Sequence, residues 1–442
     1  MSKKVPGSFT IILGLMLFAL FFGAGNLIFP PMLGQQAGEN IWIANAGFLV
    51  TGVGFPLIAI IAFVFSGEKD LMSLSSRVHP VFGMVYTVIL YLAIGPFFAI
   101  PRAGNVSYEI GLKPFLPSEP GPLPLILFSL LFFVITCLLS LNPSKIIDVI
   151  GKFLTPIKLA FIGLLVIVAI AFPIGKFQAP QSDYTAHAFF KGFQEGYLTL
   201  DALVACVFGI IIVNALKDKG ITNKGSVMKV CLMATAIAAV VLAVIYTALS
   251  FMGASSVSEL GYLSNGAEIL AEVSDHYFGS WGMIFLGLMI TVACLTTSVG
   301  LITSCSTFFH GLMPRISYKT FAIILSIFSA VVTNIGLTEL ISISVPVLMA
   351  IYPITISLIF LTFLHPLFGG KREVYIGSLV LTFCVSIFDG FNEAGLEITA
   401  VNDLFHTILP FYEVGLGWIV PSVVGGLLGL LLAKSRSKEI PS

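Results

Sequence analysis

Apolar segments of about 20 residues recur along almost the whole chain, separated by short polar breaks. A helix of that length crosses a hydrocarbon core of about 30 Å. The chain is 57% hydrophobic and 10% charged, whereas soluble domains carry roughly 25% charged residues. The sequence therefore predicts an all-α polytopic membrane protein with about twelve spans. The predicted spans 1 to 12 are 9–34, 41–65, 79–101, 122–141, 146–172, 189–215, 225–253, 278–309, 319–336, 339–365, 373–391 and 412–433.

Lysine and arginine are distributed unevenly between the loops on the two sides of these spans. About 17 fall on one side and 4 on the other, and short cytoplasmic loops carry most of the basic residues of a membrane protein. Both termini are therefore expected in the cytoplasm. No loop is long enough for a soluble domain, so residues 1–442 are expected to form one integral membrane domain.

Composition also excludes several classes of function. A formal net charge of +0 removes the electrostatic basis for binding nucleic acid. The six cysteines all lie in apolar segments, which argues against a disulfide framework or a zinc site. The histidines lie mostly at predicted span ends without a paired nucleophile, so the chain is not expected to be an enzyme. A channel would need filter loops or rings of charge, and the sequence displays neither.

The middle of span 1 contains residues that break a helix. Gly23 and Gly25 lower helix propensity and leave their amides unshielded, while the rings of Pro30 and Pro31 disfavour a helix four residues earlier, so the helix should restart near Asn26. Unwound backbone persists in hydrocarbon only where protein or a wet cavity satisfies it. The break therefore predicts a polar site, with amides for a carboxylate and carbonyls for a cation. The alternative is a proline-kinked packing helix.

Span 6 places a carboxylate near mid-membrane. Asp201 lies about ten residues beyond Lys191. An acidic group at that depth is costly unless it is paired, hydrated or protonated, so it is functional by default, with a structural ion pair as the alternative. Spans 1 and 6 each begin a set of five spans, and matching interruptions in two inverted halves are typical of a transporter's midplane site.

Span 8 carries consecutive hydroxyls, Thr296, Thr297 and Ser298, deep in an apolar segment. Oxygen ligands suit a hard cation such as sodium, and the free carbonyls of span 1 would complete an oxygen cage. Such hydroxyls also commonly bond back to a carbonyl of their own helix. In that case they would mark no site.

Three motifs identify a resemblance: FGAGN at 22–26 with FPP at 29–31, EGY at 195–197 with TLDA at 199–202, and GP at 95–96 with PR at 101–102. Over essentially its whole length the chain resembles the bacterial branched-chain amino acid carriers (BrnQ-like), and more distantly the LeuT-type transporters. The resemblance implies a LeuT-type fold with two inverted five-helix repeats, at 9–172 and 189–365, discontinuous helices 1 and 6, and two additional helices at 373–433. It also implies a location in the bacterial cell membrane.

The same resemblance implies binding residues. In LeuT-type carriers the break in helix 1 binds the substrate carboxylate through backbone amides, and helix 6 supplies the opposite wall. The matching substrate positions are Gly23, Ala24, Gly25, Asn26, Tyr197, Leu198, Thr199, Leu200 and Asp201, with Phe97 and Phe98 of span 3 as candidates for an apolar pocket. The matching sodium ligands are Ala19, Phe22, Ala293, Thr296 and Thr297.

Three further residues concern coupling and gating. Lys158 lies about a dozen residues into span 5, where some proton-coupled relatives use an ammonium in place of sodium; alternatively it snorkels to the cytoplasmic interface. The outer-gate arginine of the distant relatives is absent from span 1. Arg102 is a candidate to replace it by pairing with Glu109, and the alternative is an interfacial snorkelling arginine.

The resemblance implies a symporter that couples uptake of leucine, isoleucine and valine to sodium, with protons as the alternative coupling ion. Amino acid and lipid bilayer are the expected partners, with no organic cofactor and no obligatory protein partner. A methylene is worth only about 1 to 3 kcal/mol in an apolar pocket, so discrimination among the three should be weak, whereas charged amino acids should fail. A transporter of another small amine or a nucleobase on the same fold is the alternative.

Overall fold

The computed structural model describes residues 7–117, 120–141, 160–218, 221 and 223–438. Regular structure in these residues is helical throughout, with short 3-10 and π turns between the helices. The helices are α1 (Gly7–Phe21), α2 (Ala24–Ala37), α3 (Ile41–Leu49), α4 (Phe55–Ser66), α5 (Leu71–Ser75), α6 (Pro80–Leu92), α7 (Ala99–Gly111), α8 (Leu123–Ser140), α9 (Ala160–Ala171), α10 (Ala188–Glu195), α11 (Asp201–Asp218), α12 (Lys224–Leu260), α13 (Gly266–Leu312), α14 (Tyr318–Thr333), α15 (Leu337–Leu364), α16 (Arg372–Glu393), α17 (Thr399–Ile408) and α18 (Ile419–Lys438).

Every predicted span contains helix in the part of the chain that the structure describes. Seven helical segments there are long and apolar enough to cross a membrane, and four shorter apolar helices accompany them. Span 5 is represented by α9 alone, and Lys158 lies outside the described residues. The prediction of an all-α polytopic membrane protein is confirmed.

Helix α8 illustrates the surface that faces lipid. Its exposed residues Leu127, Leu130, Leu131 and Leu138 are between 57% and 62% accessible. They recur at the three- and four-residue spacing that places side chains on one face of a helix. A continuous apolar face of this kind would be covered by acyl chains in a bilayer.

Helix α2 lies at the centre of the bundle, and its residues from Ala24 to Pro31 are all buried. It packs against α12 at backbone distance. A methyl group at Gly34 would lie 1.9 Å from the Ser250 carbonyl oxygen, and one at Gly253 would lie 2.0 Å from the Pro31 carbonyl oxygen. Glycine is therefore required at both positions for this contact, as is common between membrane helices.

Span 3 is longer than predicted and is itself interrupted. The backbone at Gly95 is non-helical (φ −99°, ψ −119°), and Pro96 follows it. The chain then continues as α7 to Gly111, so the predicted end of the span at residue 101 is wrong. Because Gly95 and Pro96 break the helix without ending it, α7 carries its polar residues into the bundle.

Candidate functional site

The predicted break in span 1 is present as two residues, Phe22 and Gly23, between α1 and α2. The Gly23 amide donates to the Phe21 carbonyl at 2.7 Å; in a continuous helix it would instead reach the carbonyl of Ala19. The helix restarts at Ala24, earlier than the predicted restart near Asn26. Each proline in α2 removes one helical hydrogen bond, and the burial of α2 on all sides keeps the helix continuous despite that loss.

The predicted break in span 6 is also present. Residues Gly196–Thr199 form a 3-10 turn, and Leu200 adopts a left-handed conformation (φ 66°, ψ 1°) before α11 begins at Asp201. The Thr199 hydroxyl donates to the Gly196 carbonyl at 2.9 Å and accepts the Asp201 amide at 3.3 Å. The turn therefore fixes Asp201 as the first residue of α11.

The two breaks meet through a buried cluster of three side chains. Asn26 Nδ2 donates to Asp201 Oδ2 at 2.6 Å and also contacts the Tyr246 hydroxyl. Tyr246 donates to the same carboxylate oxygen at 3.2 Å. All three residues are buried. The Asp201 carboxylate thus accepts from two neutral donors, and it forms no salt bridge, the alternative role considered for it, with any residue that the structure describes.

Tyr246 was missed by the sequence reasoning. It lies in the second half of span 7, where a tyrosine counts as one more hydrophobic residue. The usable signal was its hydroxyl, because a buried tyrosine normally requires a hydrogen-bond partner. Tyr352 of α15 was missed for the same reason; its ring stacks on that of Tyr197 at 4.4 Å between centroids.

Arg102 is buried within the protein rather than at the outer interface. It is 1% exposed, its Nη1 donates to the Leu198 carbonyl in the span 6 turn, and its Cζ lies 4.9 Å from the centre of the Phe29 ring. A methyl on Gly25 would lie 3.2 Å from the same Nη1. The interruption at Gly95 produces this placement, because it lets α7 start inside the bundle.

The expected pairing of Arg102 with Glu109 is therefore wrong, and so is the snorkelling alternative. Glu109 instead contacts Lys113 at 2.7 Å, and Lys113 also contacts Glu268 at 2.8 Å. This bridge joins α7 to the start of α13. Since its members are partly exposed, it contributes little to stability.

The two phenylalanines proposed for an apolar pocket have different surroundings. Phe98 is 7% exposed, whereas Phe97 is 40% exposed and its ring contacts Phe328 of α14 at 5.2 Å between centroids. Phe97 thus has the environment of a surface side chain. Tyr197, Leu198, Thr199 and Leu200 are all buried.

The candidate cation ligands of α13 lie beside the break in span 1. A methyl on Gly23 would lie 3.8 Å from Thr297 Cγ2, so the two elements are neighbours. The hydroxyls of Thr296 and Thr297 donate to the Ala293 carbonyl at 2.8 and 3.1 Å. These hydrogen bonds to a carbonyl of the same helix match the alternative considered for the hydroxyls. Each hydroxyl oxygen nevertheless keeps lone pairs that can coordinate a cation. Ala19 lies half-buried near the end of α1.

Known proteins similar to this chain are transport proteins. A family model described as branched-chain amino acid transport protein matches residues 7–436. The chain is 69% identical over 438 residues to the branched-chain amino acid permease BrnQ of Bacillus subtilis, covering 99% of this chain and 100% of that one. It is 40% identical over 445 residues to the permease BrnQ of Escherichia coli, covering 100% and 99%.

Solved structures extend the likeness to the fold. Mhp1, a nucleobase-cation-symport-1 family transporter in a closed conformation with bromovinylhydantoin bound, matches with a TM-score of 0.61 at 12% identity, over 98% of this chain and 93% of that one. MhsT in complex with L-phenylalanine matches with a TM-score of 0.54 at 17% identity, over 95% and 97%. Likenesses at such low identity concern the fold alone, and they confirm the expected LeuT-type architecture.

Proposed function

The chain belongs to the family of branched-chain amino acid transport proteins, and on that premise we propose that it takes up leucine, isoleucine and valine by cation-coupled symport with alternating access. Its relatives are named permeases, so it is a transporter and not an enzyme, as expected. The observation that carries the proposal is the meeting of two helix breaks at the buried cluster of Asn26, Asp201 and Tyr246. Transporters of this fold bind their solute near the bilayer midplane, at helix breaks lined by buried polar groups.

The charged end of the amino acid would bind between the two breaks. The first amides of α2, at Ala24 and Gly25, lack acceptors within their own helix and present the positive end of its dipole to a carboxylate. Gly23 precedes them, and its amide already donates to the Phe21 carbonyl. The ammonium would bind to Asp201 and to carbonyls of residues 197–200. In support, the Thr199 carbonyl oxygen lies 3.4 Å from the position of a methyl on Gly25, so the turn of span 6 faces the start of α2.

The apolar end of the amino acid would contact Phe98, Tyr197 and Tyr352. All three are buried, and the two tyrosines stack face to face. Phe97 is left out of this pocket because of its exposure. An apolar wall accommodates leucine, isoleucine and valine with small differences in free energy, and it leaves a charged side chain unpaired.

Sodium is the proposed coupling ion, bound by carbonyls of Ala19, Phe22 and Ala293 and by the hydroxyls of Thr296 and Thr297. The proximity of Gly23 to Thr297 supports this set. Bound sodium would hold α1, α2 and α13 together and so favour the state in which the substrate site is complete; it drives transport because its affinity differs between states. Asp201 or Lys158 would carry the proton if coupling is to protons.

The proposed setting is a bacterial cell membrane with both termini in the cytoplasm, which the uneven distribution of lysine and arginine supports. The two inverted repeats would span 9–172 and 189–365, with 373–433 as added helices. Because the fold also serves a nucleobase-cation-symport-1 family member, the solute has to be tested directly.

Uptake into proteoliposomes tests the proposal. We expect concentrative leucine uptake under an imposed inward sodium gradient, inhibited by isoleucine and valine within about tenfold of each other and not by lysine, glutamate, polyamines or nucleobases. The same vesicles under a proton gradient without sodium identify the coupling ion. An absence of concentrative leucine uptake under both gradients would contradict symport.

A further inference from the structure

Arg102 is a guanidinium buried at the centre of the bundle with most of its hydrogen-bonding capacity unused. It is 1% exposed. Its Nη1 bonds to the Leu198 carbonyl, while Nε and Nη2 have no hydrogen-bond partner in the described part of the chain. A buried donor left without an acceptor costs about 1 to 3 kcal/mol, and more when it is charged. A ligand that fills these donors would recover that free energy.

The two unused nitrogens are adjacent in the guanidinium. Nε and Nη2 form one edge of the planar group, and this edge presents two parallel N–H bonds in the geometry that a carboxylate accepts through both oxygens. The third nitrogen, Nη1, donates to the Leu198 carbonyl in the span 6 turn. The Cζ atom lies over the Phe29 ring, 4.9 Å from its centre. The side chain is therefore held on two sides, and the edge that binds carboxylates has no acceptor among the described residues.

This edge lies at the proposed substrate site. Arg102 contacts the first turn of α2, where a methyl on Gly25 would be 3.2 Å from its Nη1. Its acceptor Leu198 precedes Asp201 by three residues in the span 6 turn. The Asp201 carboxylate takes its hydrogen bonds from Asn26 and Tyr246 rather than from Arg102. The site thus contains one positive and one negative side chain that do not satisfy each other.

On the basis of the function proposed above, we propose that Arg102 binds the carboxylate of the amino acid through Nε and Nη2, opposite Asp201, which faces the ammonium. The pair recognises the α-amino acid zwitterion, and the amides of α2 assist the guanidinium. A ligand with an ammonium but no carboxylate leaves the Arg102 charge buried without a counter-charge. The protein should therefore reject amines and amino alcohols that carry the leucine side chain.

Equilibrium binding of leucine and of leucinol to the purified full-length protein tests this role. Leucinol keeps the side chain and the ammonium but lacks the carboxylate. Wild-type protein should prefer leucine strongly. In Arg102→Gln, leucine affinity should fall by about a hundredfold or more, the scale of losing one partner of a buried charge pair. Leucinol affinity should stay the same or rise, so the preference should disappear.

Arg77→Gln is the matched control, because Arg77 contacts Glu68 and the Ser66 carbonyl away from this site; both affinities should be unchanged. Arg102→Lys is the second variant. It keeps the charge but loses the paired edge, so leucine affinity alone should fall by roughly tenfold. If Arg102→Gln does not purify as a folded protein, Arg102→Lys tests the proposal instead.

The outcomes separate the two proposals. Equal losses of leucine and leucinol affinity in both variants would assign Arg102 to holding the Leu198 turn and overturn its role in binding. Wild-type protein that binds leucinol as tightly as leucine would overturn it without any variant. Wild-type protein that neither binds nor transports leucine would overturn the proposed function as well.

Discussion

The breaks in span 1 and span 6 interrupt their helices by different means. In span 1, two residues suffice, and Gly23 takes an extended conformation (φ −105°, ψ −165°) open to any residue. In span 6, the chain makes a 3-10 turn and then places Leu200 in the left-handed region, which costs a non-glycine residue roughly 1 to 2 kcal/mol. The first break offers backbone groups and space; the second uses strain to position a charged side chain.

This difference predicts that transport depends on the Asp201 side chain at the second break and on the absence of a side chain at Gly23 in the first. Asp201→Asn keeps the size of the side chain but removes its charge, so we expect leucine uptake to fall by about a hundredfold or more with little change in thermal stability. Asp183→Asn, on an exposed turn, is the control in the same proteoliposome assay. Uptake within twofold of wild type would reduce Asp201 to a packing residue.

Gly23→Ala tests whether the first break contains space for a ligand. An added methyl would meet only the Phe21 carbonyl oxygen and Thr297 Cγ2, each at 3.8 Å, so folding should be unaffected. It would occupy room beside Thr297, and we expect uptake to fall by roughly tenfold, as for overpacking of a well-fitted site. Gly34→Ala, whose methyl would lie 1.9 Å from the Ser250 carbonyl oxygen, should instead lower thermal stability. Normal uptake by Gly23→Ala would show that nothing binds there.

Thr297→Ala examines the cation side of the first break. Loss of one oxygen ligand should raise the sodium concentration for half-maximal uptake by roughly tenfold, with normal uptake at saturating sodium. Ser304→Ala in the same helix removes a similar back-bond, to the Gly300 carbonyl at 2.9 Å, and should leave sodium activation unchanged. Identical sodium curves for Thr297→Ala and wild type would remove this residue from the cation site.

The smallest effect concerns strain in the second break. Leu200→Gly and Leu200→Ala lose nearly the same buried side chain, but glycine also relieves the left-handed conformation, so the glycine variant should be the more stable by about 1 kcal/mol. At Leu203, equally buried in α11, the order should reverse, because glycine weakens a helix. Unfolding of the four variants in detergent measures both differences. The same order at both positions would mean that Leu200 is unstrained.

Much of this arrangement could be predicted from local sequence. Segment length and hydropathy predicted the spans, and the glycines and prolines of span 1 and the carboxylate of span 6 indicated the breaks. The contact of Asn26 with Asp201 joins residues 175 positions apart, and no local pattern encodes it. The restart of α2 at Ala24 was misjudged because burial against α12 overrides the effect of Pro30 and Pro31.

The buried position of Arg102 is the clearest example of a feature that local sequence does not predict. Pro101 and Arg102 follow an apolar run, which is the usual appearance of a span end, and the membrane cost of an arginine supports that reading. Gly95 and Pro96 form a third break, which the predicted end of span 3 at residue 101 does not take into account. Once α7 is seen to continue to Gly111, the arginine has to lie inside the protein, and its neighbours come from spans 1 and 6.

The glycine contact between α2 and α12 has a mechanical consequence. With Gly34 against Ser250 and Gly253 against Pro31, the two backbones touch over about one turn of each helix, and sliding one past the other would force carbonyl oxygens into Cα atoms. We therefore expect α2 and α12 to move together as one rigid body, so that the distance between Asn26 and Tyr246 stays constant. Helix α1 is held against α12 in the same way, since a methyl on Gly14 would lie 2.9 Å from the Ala234 carbonyl oxygen, so we expect the motion that opens the protein to each side to carry both halves of span 1 with α12.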